Sequence, residues 1–446
     1  MPTHRFPHPL SLLVGCILLA ATLSWVLPAG RFERRDDPVT GRRVVVPGTY
    51  HAVRPSRVDP FQALVAIPKG MADAASVIFL VFLVGGSFAV VDLTGALNQG
   101  VAWFASRLKR RGLVIPIACV AFATAGALEN MQEEIIALVP ALMLLTRRLG
   151  FDAVTAVAMS LGAAAIGAAF SPIDPFQVGI AQKLAGLPLL SGFIFRLAFL
   201  VPALGFWIWG TARYGTREGV PIEASDVEPP QAFGVRALLV LLLVLSAFGA
   251  LVAGVLRLGW DFDQMSALFF AMGVLAGLAG GLGVEGTALA FVEGFKSMAF
   301  AGVLIGFARA VYLVLDQGQI IDTIVSSLFA PIAHLPVALA ALGMMAVQTL
   351  IHFPVPSVSG QAVLTMPLLV PLSDLLGLER QVTVLAYQYG AGLCELMTPT
   401  NGALMAILAA AGVGYGRWLK FAAPLYLILI AWSFVALVLG VAIGLK

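Results

Sequence analysis

The chain has 446 residues, of which 60% are hydrophobic and 11% charged, with a net charge of +3. A soluble domain carries about 25% charged residues, so the composition excludes a water-soluble globule and places most of the chain in lipid. The basic residues fall in a few short loops and form no stripe, which excludes a nucleic-acid-binding surface.

A transmembrane helix needs about 20 apolar residues. The first such run, residues 10–28, lacks a small-x-small cleavage pattern and is followed by many others, so it reads as a retained first helix and not as a signal peptide. Residues 30–67 form an arginine-rich loop, whose Pro47-Gly48-Thr49 turn beside a β-branched run predicts a small β-hairpin. A second span covers 76–93. In segment 113–147 an apolar run stops at Glu129-Asn130-Met131-Gln132-Glu133-Glu134 and then resumes. Its limbs, about 11 to 16 residues each, are short for a span, which favours a re-entrant hairpin over two full helices. Residues 153–184 are apolar but broken at Ser171-Pro172-Ile173-Asp174-Pro175, and the next span is 192–209. A polar linker leads to spans at 237–255, 265–282 and 297–315. Segment 335–373 repeats the hairpin pattern around residues 354–361. Segment 382–411 repeats the broken helix, interrupted at Thr398-Pro399-Thr400-Asn401-Gly402, and 418–445 is the last span. The fold class is therefore an all-α integral membrane protein with about nine full spans and two re-entrant hairpins. Cys16, Cys119 and Cys394 each sit in an apolar run without CxxC spacing and read as buried, inert thiols.

Loop charge sets the orientation. Arg107, Lys109, Arg110 and Arg111 precede the first hairpin and Arg147 and Arg148 follow it, so it enters from the cytoplasm under the positive-inside rule. The second hairpin has no Lys or Arg between Asp316 and Leu335, so it enters from outside. Arg213, Arg217, Arg236, Arg417 and Lys420 fall inside. The N-terminus is then cytoplasmic and the C-terminus external, in a cytoplasmic (inner) membrane. The 30–67 loop is external despite its arginines, because long segments translocate regardless of charge.

The two interrupted regions line up without gaps: Pro140 falls on Pro367, Gly150 on Gly377, Val157 on Val384 and Pro172 on Pro399; upstream, Gly70 before one helix pairs with Gly294 before another. Because the hairpins enter from opposite sides, the repeats are inverted. They cover residues 1–212 and 264–446, with a cytoplasmic linker and connecting helix at 213–263. Inverted repeats with discontinuous helices characterise secondary transporters, which bind solute near the midplane between the halves. Half-helices are predicted to start after Glu133, Asp174, Gly360 and Asn401. A helix that starts mid-membrane points unsatisfied N–H groups and a positive dipole end into a cavity, which favours a carboxylate.

The stretch from Ser357 through Gly360, Gln361 and Pro367 to Leu369 resembles the second-hairpin signature of the C4-dicarboxylate anaerobic carrier family, in its YfcC-like branch. So do Gly377 to Gly390 leading into Pro399-Thr400, Glu133-Glu134 before Leu149-Gly150-Phe151-Asp152, and Pro175-Phe176 before Ala181-Gln182 and Ala185-Gly186. The resemblance runs over nearly the whole chain. It implies the fold of the ion transporter superfamily: a scaffold, two opposed hairpins and a homodimer working by an elevator mechanism. It also implies C4-dicarboxylates or, in this branch, basic amino acids taken by antiport as substrates. The sequence departs from the family pattern at the first tip (Glu129, Asn130, Gln132), at Asp174, at Pro356 and Val358, and at Ala391 to Glu395.

Those departures sit where substrate would bind. Glu129, Glu133, Glu134, Asp174 and Glu395 are acids at predicted membrane depth, where an ionised group costs about 2.5–3.5 kcal/mol and is rarely idle. Each reads either as a proton, sodium or solute-cation site or as a helix cap. Ser357, Ser359, Gly360 and Gln361 form the second tip, and Ser171 opens the first break. Thr398, Thr400 and Asn401 offer oxygens to a cation, so a Na⁺ is placed near Asn130, Asp174, Thr398 and Asn401, with Na⁺ or H⁺ as coupling ion. Arg309, inside a span, reads either as a partner of an acid or solute carboxylate or as a structural, snorkelling residue, and His352 adjoins the second tip. The surplus of acids points to a cationic group on the solute and the helix ends to a carboxylate; an amino acid or peptide-like zwitterion satisfies both. The alternatives are an integral membrane enzyme or a receptor. An enzyme would need a nucleophile–base set or metal ligands, and no HExxH, DxxD cluster or Walker A motif is present.

Overall fold

The computed structural model describes residues 8–38, 43–97, 99–100, 111–219, 234–258 and 260–446. Its described elements are helices and four short strands. Helix α1 (Pro9–Val26) contains no Asp, Glu, Lys or Arg and satisfies its backbone internally, as lipid demands. The segment after it folds into β1 (Gly30–Arg31), β2 (Arg34–Asp36), β3 (Arg43–Val45) and β4 (His51–Ala52). These nest as two antiparallel pairs, β1 with β4 and β2 with β3. The expected hairpin is thus present with a different tip. The Pro47–Thr49 turn joins β3 to β4, which do not pair with each other, because Thr49 Oγ1 accepts from Glu33 N at 2.9 Å and donates to Val46 O at 2.7 Å.

The scaffold is built around α2 (Pro60–Asp73), α3 (Ala75–Leu93), α10 (Val235–Leu258), α11 (Phe262–Gly280) and the 35-residue α12 (Gly283–Gln317). Helix α12 lies along both α2 and α3, and α11 packs on α3. Two glycines allow the close approach. A Cβ on Gly70 would meet Gly306 O at 2.5 Å and Ala310 N at 2.7 Å; one on Gly294 would meet Gly85 O at 2.5 Å and the Cα of Gly86. Gly70 and Gly294 are the pair matched in the sequence repeat, and Gly86 is as far from Ala310 along the chain as Gly70 is from Gly294. The two contacts are therefore equivalents of one another.

The core consists of two hairpins and two broken helices. The first hairpin is α4 (Val114–Glu129) and α5 (Glu133–Leu149). The first broken helix runs through α6 (Ala153–Val157), a π turn (Ala158–Gly162) and α7 (Ala163–Ala169), breaks, and resumes as a π turn (Pro175–Gly179) and α8 (Ile180–Leu184). Helix α9 (Phe193–Arg217) closes this half. In the second half, α13 (Ile321–Phe329) precedes the hairpin α14 (Val337–His352) and α15 (Val358–Leu376). The broken helix α16 (Arg380–Cys394) and α17 (Gly402–Ala410) follows, then α18 (Tyr415–Ala442). The packing is reciprocal. In each half the first hairpin limb rests on its own broken helix, α4 on α7 and α14 on α16; the second limb also reaches the other half, α5 on α17 and α15 on α8. The breaks are stapled alike. Ser171 Oγ donates to Ala127 O at 2.6 Å, and Thr400 Oγ1 to Phe353 O at 2.8 Å, each closing the end of a first limb.

Two expectations change. The hairpin limbs have 16, 17, 16 and 19 residues, and the second limb of each is longer than expected, because Glu133-Glu134 and Val358 to Gln361 are wound into helices and only residues 130–132 and 353–357 turn. The second limb accordingly begins at Val358, ahead of Gly360. Among the described residues, seven helices are long and apolar enough to cross a membrane: α1, α3, α9, α11, α12, α15 and α18. Each broken helix divides into limbs too short to count, the expected span 237–255 contributes only a shorter apolar helix at Val235–Leu251, and α15 enters the count though it was read as half a hairpin.

Candidate binding cavity

A cavity of about 1090 Å³ lies where the core meets the scaffold. All four half-helix beginnings reach it. Asn130 and Gln132 stand just before α5, Phe176 at the restart of the first broken helix, Ser357 to Gly360 at the start of α15, and Thr400 to Ala403 at the start of α17. Local sequence caps three of these beginnings. Asp174 Oδ1 accepts from the N–H of Phe176 at 2.7 Å and of Gln177 at 3.0 Å. Asn401 Oδ1 accepts from Leu404 N at 3.1 Å, and Ser357 Oγ from Gly360 N at 3.3 Å. These are N-caps, which leave the other first-turn N–H groups and the positive dipole end to the cavity.

Among the described residues, the acid on the core side of the cavity is Glu395, 6% exposed, in the second break. Gln132 Nε2 donates to its Oε2, and Asn401 Nδ2 donates to Gln132 Oε1 at 3.3 Å. A polar chain thus ties the first hairpin tip to the second broken helix. Asn130 caps α4 in the left-handed region (φ 50°), which Asn tolerates better than most residues. Its buried Oδ1 has no hydrogen-bond partner among the described residues.

The scaffold contributes one face of α12, with Ile305, Ala308, Arg309 and Tyr312. Strands β1 to β3 contribute Arg31, Arg34 and Arg43. This strand segment is pinned in place: Asp322 accepts from Phe32 N at 2.9 Å and from Arg34 Nη2 at 2.7 Å, and Gly30 N donates to Gln319 O at 3.0 Å. It also packs on α15 through β3.

Of the residues singled out from sequence, Asn130, Ser357, Ser359, Gly360, Glu395, Thr400 and Asn401 line the cavity. Ser171, Asp174, Gln361 and Thr398 are buried beside it without lining it. Ser171 Oγ accepts from the N–H of Ile173 at 3.0 Å and of Asp174 at 2.8 Å. Gln361 staples the second hairpin: its Nε2 donates to Gln348 O at 2.7 Å and to Gln348 Oε1, and its Oε1 meets His352 Nδ1 at 3.0 Å. Thr398 Oγ1 donates to Cys394 O at 2.8 Å. Of the four residues assigned to a Na⁺, Asn130 and Asn401 face the cavity and Asp174 and Thr398 do not. Glu129 ends α4 and Glu133 and Glu134 open α5, but their side chains lie outside the described residues. Among the described residues no three His, Cys, Asp or Glu side chains cluster as metal ligands.

Sequence reasoning missed Gln132 as a site residue, although it stands in the polar tip, and missed Arg31, Arg34 and Arg43, whose loop carries no local signal for a place beside the solute. It also missed a second buried network. Arg196, fully buried, donates to Gln388 Oε1 at 3.0 Å, Gln381 Oε1 at 2.8 Å and Ser191 O at 2.8 Å; Gln388 Nε2 in turn donates to Ser171 O at 2.8 Å and holds the first break.

Residues 6–442 match a family profile described as "C4-dicarboxylate anaerobic carrier". The chain is 32% identical to the Escherichia coli K12 protein named "Putative basic amino acid antiporter YfcC", over 98% of this chain and 97% of that one. It is 28% identical to an uncharacterised Haemophilus influenzae protein, over 95% and 94% of the two chains. Among solved structures, it is similar to the Alcanivorax borkumensis YdaH transporter (TM-score 0.45, 19% identity, 98% of this chain and 99% of that one). It is also similar to Neisseria gonorrhoeae MtrF, described with a class of antimetabolite efflux pumps (TM-score 0.45, 16% identity, 99% and 96%).

Proposed function

The chain belongs to the C4-dicarboxylate anaerobic carrier family, and from that membership and the cavity we propose secondary active transport of a small solute bearing both a carboxylate and a cationic group. The protein is a multi-pass membrane transporter and not an enzyme. The observation that carries the finer reading is that four half-helix beginnings and the buried Glu395 face one cavity. The helix beginnings make the cavity favourable to a carboxylate, and Glu395 faces the ammonium or guanidinium. A basic or neutral amino acid fits both demands, and the name of the Escherichia coli relative points the same way. A C4-dicarboxylate would set its second carboxylate against Glu395.

The reciprocal packing of hairpins on broken helices, with the equivalent Gly70 and Gly294 contacts, supports two inverted repeats. The core meets the scaffold along α12 against α17 and α3 against α5, which suits an elevator movement of core past scaffold. With the strand segment outside the cell, the cavity faces outward, the N-terminus is cytoplasmic and the membrane is the inner one. Na⁺ or H⁺ is the coupling ion, or exchange drives the cycle, with Glu395 the cavity acid that exchanges its cation; the working unit is a homodimer.

A thermal-shift screen of the purified protein tests the solute class, using arginine, lysine, ornithine, neutral amino acids and C4-dicarboxylates with and without Na⁺. Stabilisation by amino acids is expected. Stabilisation by dicarboxylates alone would remove the cationic group from the reading.

A further inference from the structure

We propose that Arg309 of the scaffold binds the carboxylate of the transported solute, taking it in exchange for Asp73. This deepens the transporter reading above and rests on it.

Arg309 lies on α12, the scaffold helix that faces the cavity, and both Arg309 and Asp73 line that cavity. Its Nε donates to Asp73 Oδ2, and its guanidinium carbon lies 4.7 Å from the centre of the Tyr312 ring. The guanidinium thus lies over the ring, and its Nη1 and Nη2 have no hydrogen bond to any described residue. A guanidinium is a planar fork suited to both oxygens of a carboxylate; here only its inner nitrogen is used. Both partners are 42% exposed, and an ion pair that wet contributes little. It is therefore an exchangeable contact.

Position along α12 completes the argument. One helical turn before Arg309, Ile305 touches the core: a Cβ on Gly402 would sit 3.6 Å from Ile305 Cα. Gly402 opens α17 and follows Asn401, which is bonded through Gln132 to Glu395. Four residues of helix rise about 6 Å, so Arg309 stands roughly one turn along the cavity wall from the half-helix beginning nearest the acid. The cavity thus has an anionic pole on the core and a cationic fork on the scaffold. A solute spanning them lies on the surface along which the two bodies move, and its carboxylate replaces Asp73 on arrival and yields to it on departure.

The test is thermal-shift titration of the full-length protein with an amino acid and with its primary amide, lysine against lysinamide and leucine against leucinamide. In the wild type the acid binds about ten-fold or more tightly than the amide, as loss of a charge-assisted contact implies. R309Q abolishes that preference by weakening the acid alone, R309K keeps part of it, and D73N binds the acid at least as tightly as the wild type. A purely structural pair would leave the acid-to-amide ratio of R309Q at the wild-type value, and that result overturns the assignment. So does D73N weakening acid and amide alike. Should R309Q not fold, R309K and D73N carry the same comparison. A wild type stabilised by neither acid nor amide would instead overturn the solute class itself, and this assignment with it.

Discussion

Glu395 and Gln132 stand 263 positions apart in the chain and meet at the cavity wall. Burying a carboxylate is tolerable only when it is hydrogen-bonded, and Gln132 provides a donor from the opposite half of the molecule. Glu395 is thus held by the same chain of amides that ends on the cap of α17, and any cation placed against it is felt at both a hairpin tip and a break. Glu395→Gln keeps the size and removes the charge. It is expected to weaken solutes bearing an ammonium or guanidinium about ten-fold or more and to spare those without one, as read by thermal-shift titration. Asp174 has a different task. Its Oδ1 accepts from the N–H groups of Phe176 and Gln177 as an N-cap, and Asn caps about as well as Asp. Asp174→Asn should therefore keep both fold and transport, while Asp174→Ala should lose about 1 kcal/mol of unfolding stability. Loss of transport in Asp174→Asn at unchanged stability would return the acid to the mechanism.

The hairpins and broken helices were legible because each interrupts an apolar run with Pro, Gly or polar residues, which lipid tolerates only beside protein or a cavity. The register of Pro172 on Pro399 carried the caps with it, since Asp174 falls on Asn401 and both open a half-helix. Less legible was where the turn stops and the helix starts. Ser359, Gly360 and Gln361 read as a tip but form the first turn of α15, because Ser357 caps it. Gln361 then points into the hairpin, where it joins α14 to α15 through His352 and Gln348. Gln361→Leu removes those bonds and strands buried polar partners, at about 1–3 kcal/mol. Hydrogen exchange of residues 351–361 should rise accordingly; unchanged protection would mean that the apolar contacts of the two limbs hold the hairpin alone. Contacts across the chain left no local trace: nothing near Arg309 announces Asp73, 236 positions away, and nothing in the 30–67 loop announces Asp322.

At the scale of the whole molecule, core and scaffold each bear one wall of the cavity. Ile305 and Gly402 face each other across that division. In a background with Cys16, Cys119 and Cys394 replaced, the pair I305C and G402C is expected to form a disulfide, to arrest transport when oxidised and to restore it on reduction. Full transport by the cross-linked protein would mean that core and scaffold do not slide at this surface. The most direct test of the central claim is counterflow in proteoliposomes loaded with unlabelled lysine, arginine or leucine, with the labelled amino acid outside. The account predicts saturable accumulation by the wild type and a severe loss with Glu395→Gln for the basic solutes. Absence of accumulation for every amino acid, or equal accumulation by Glu395→Gln, would contradict it.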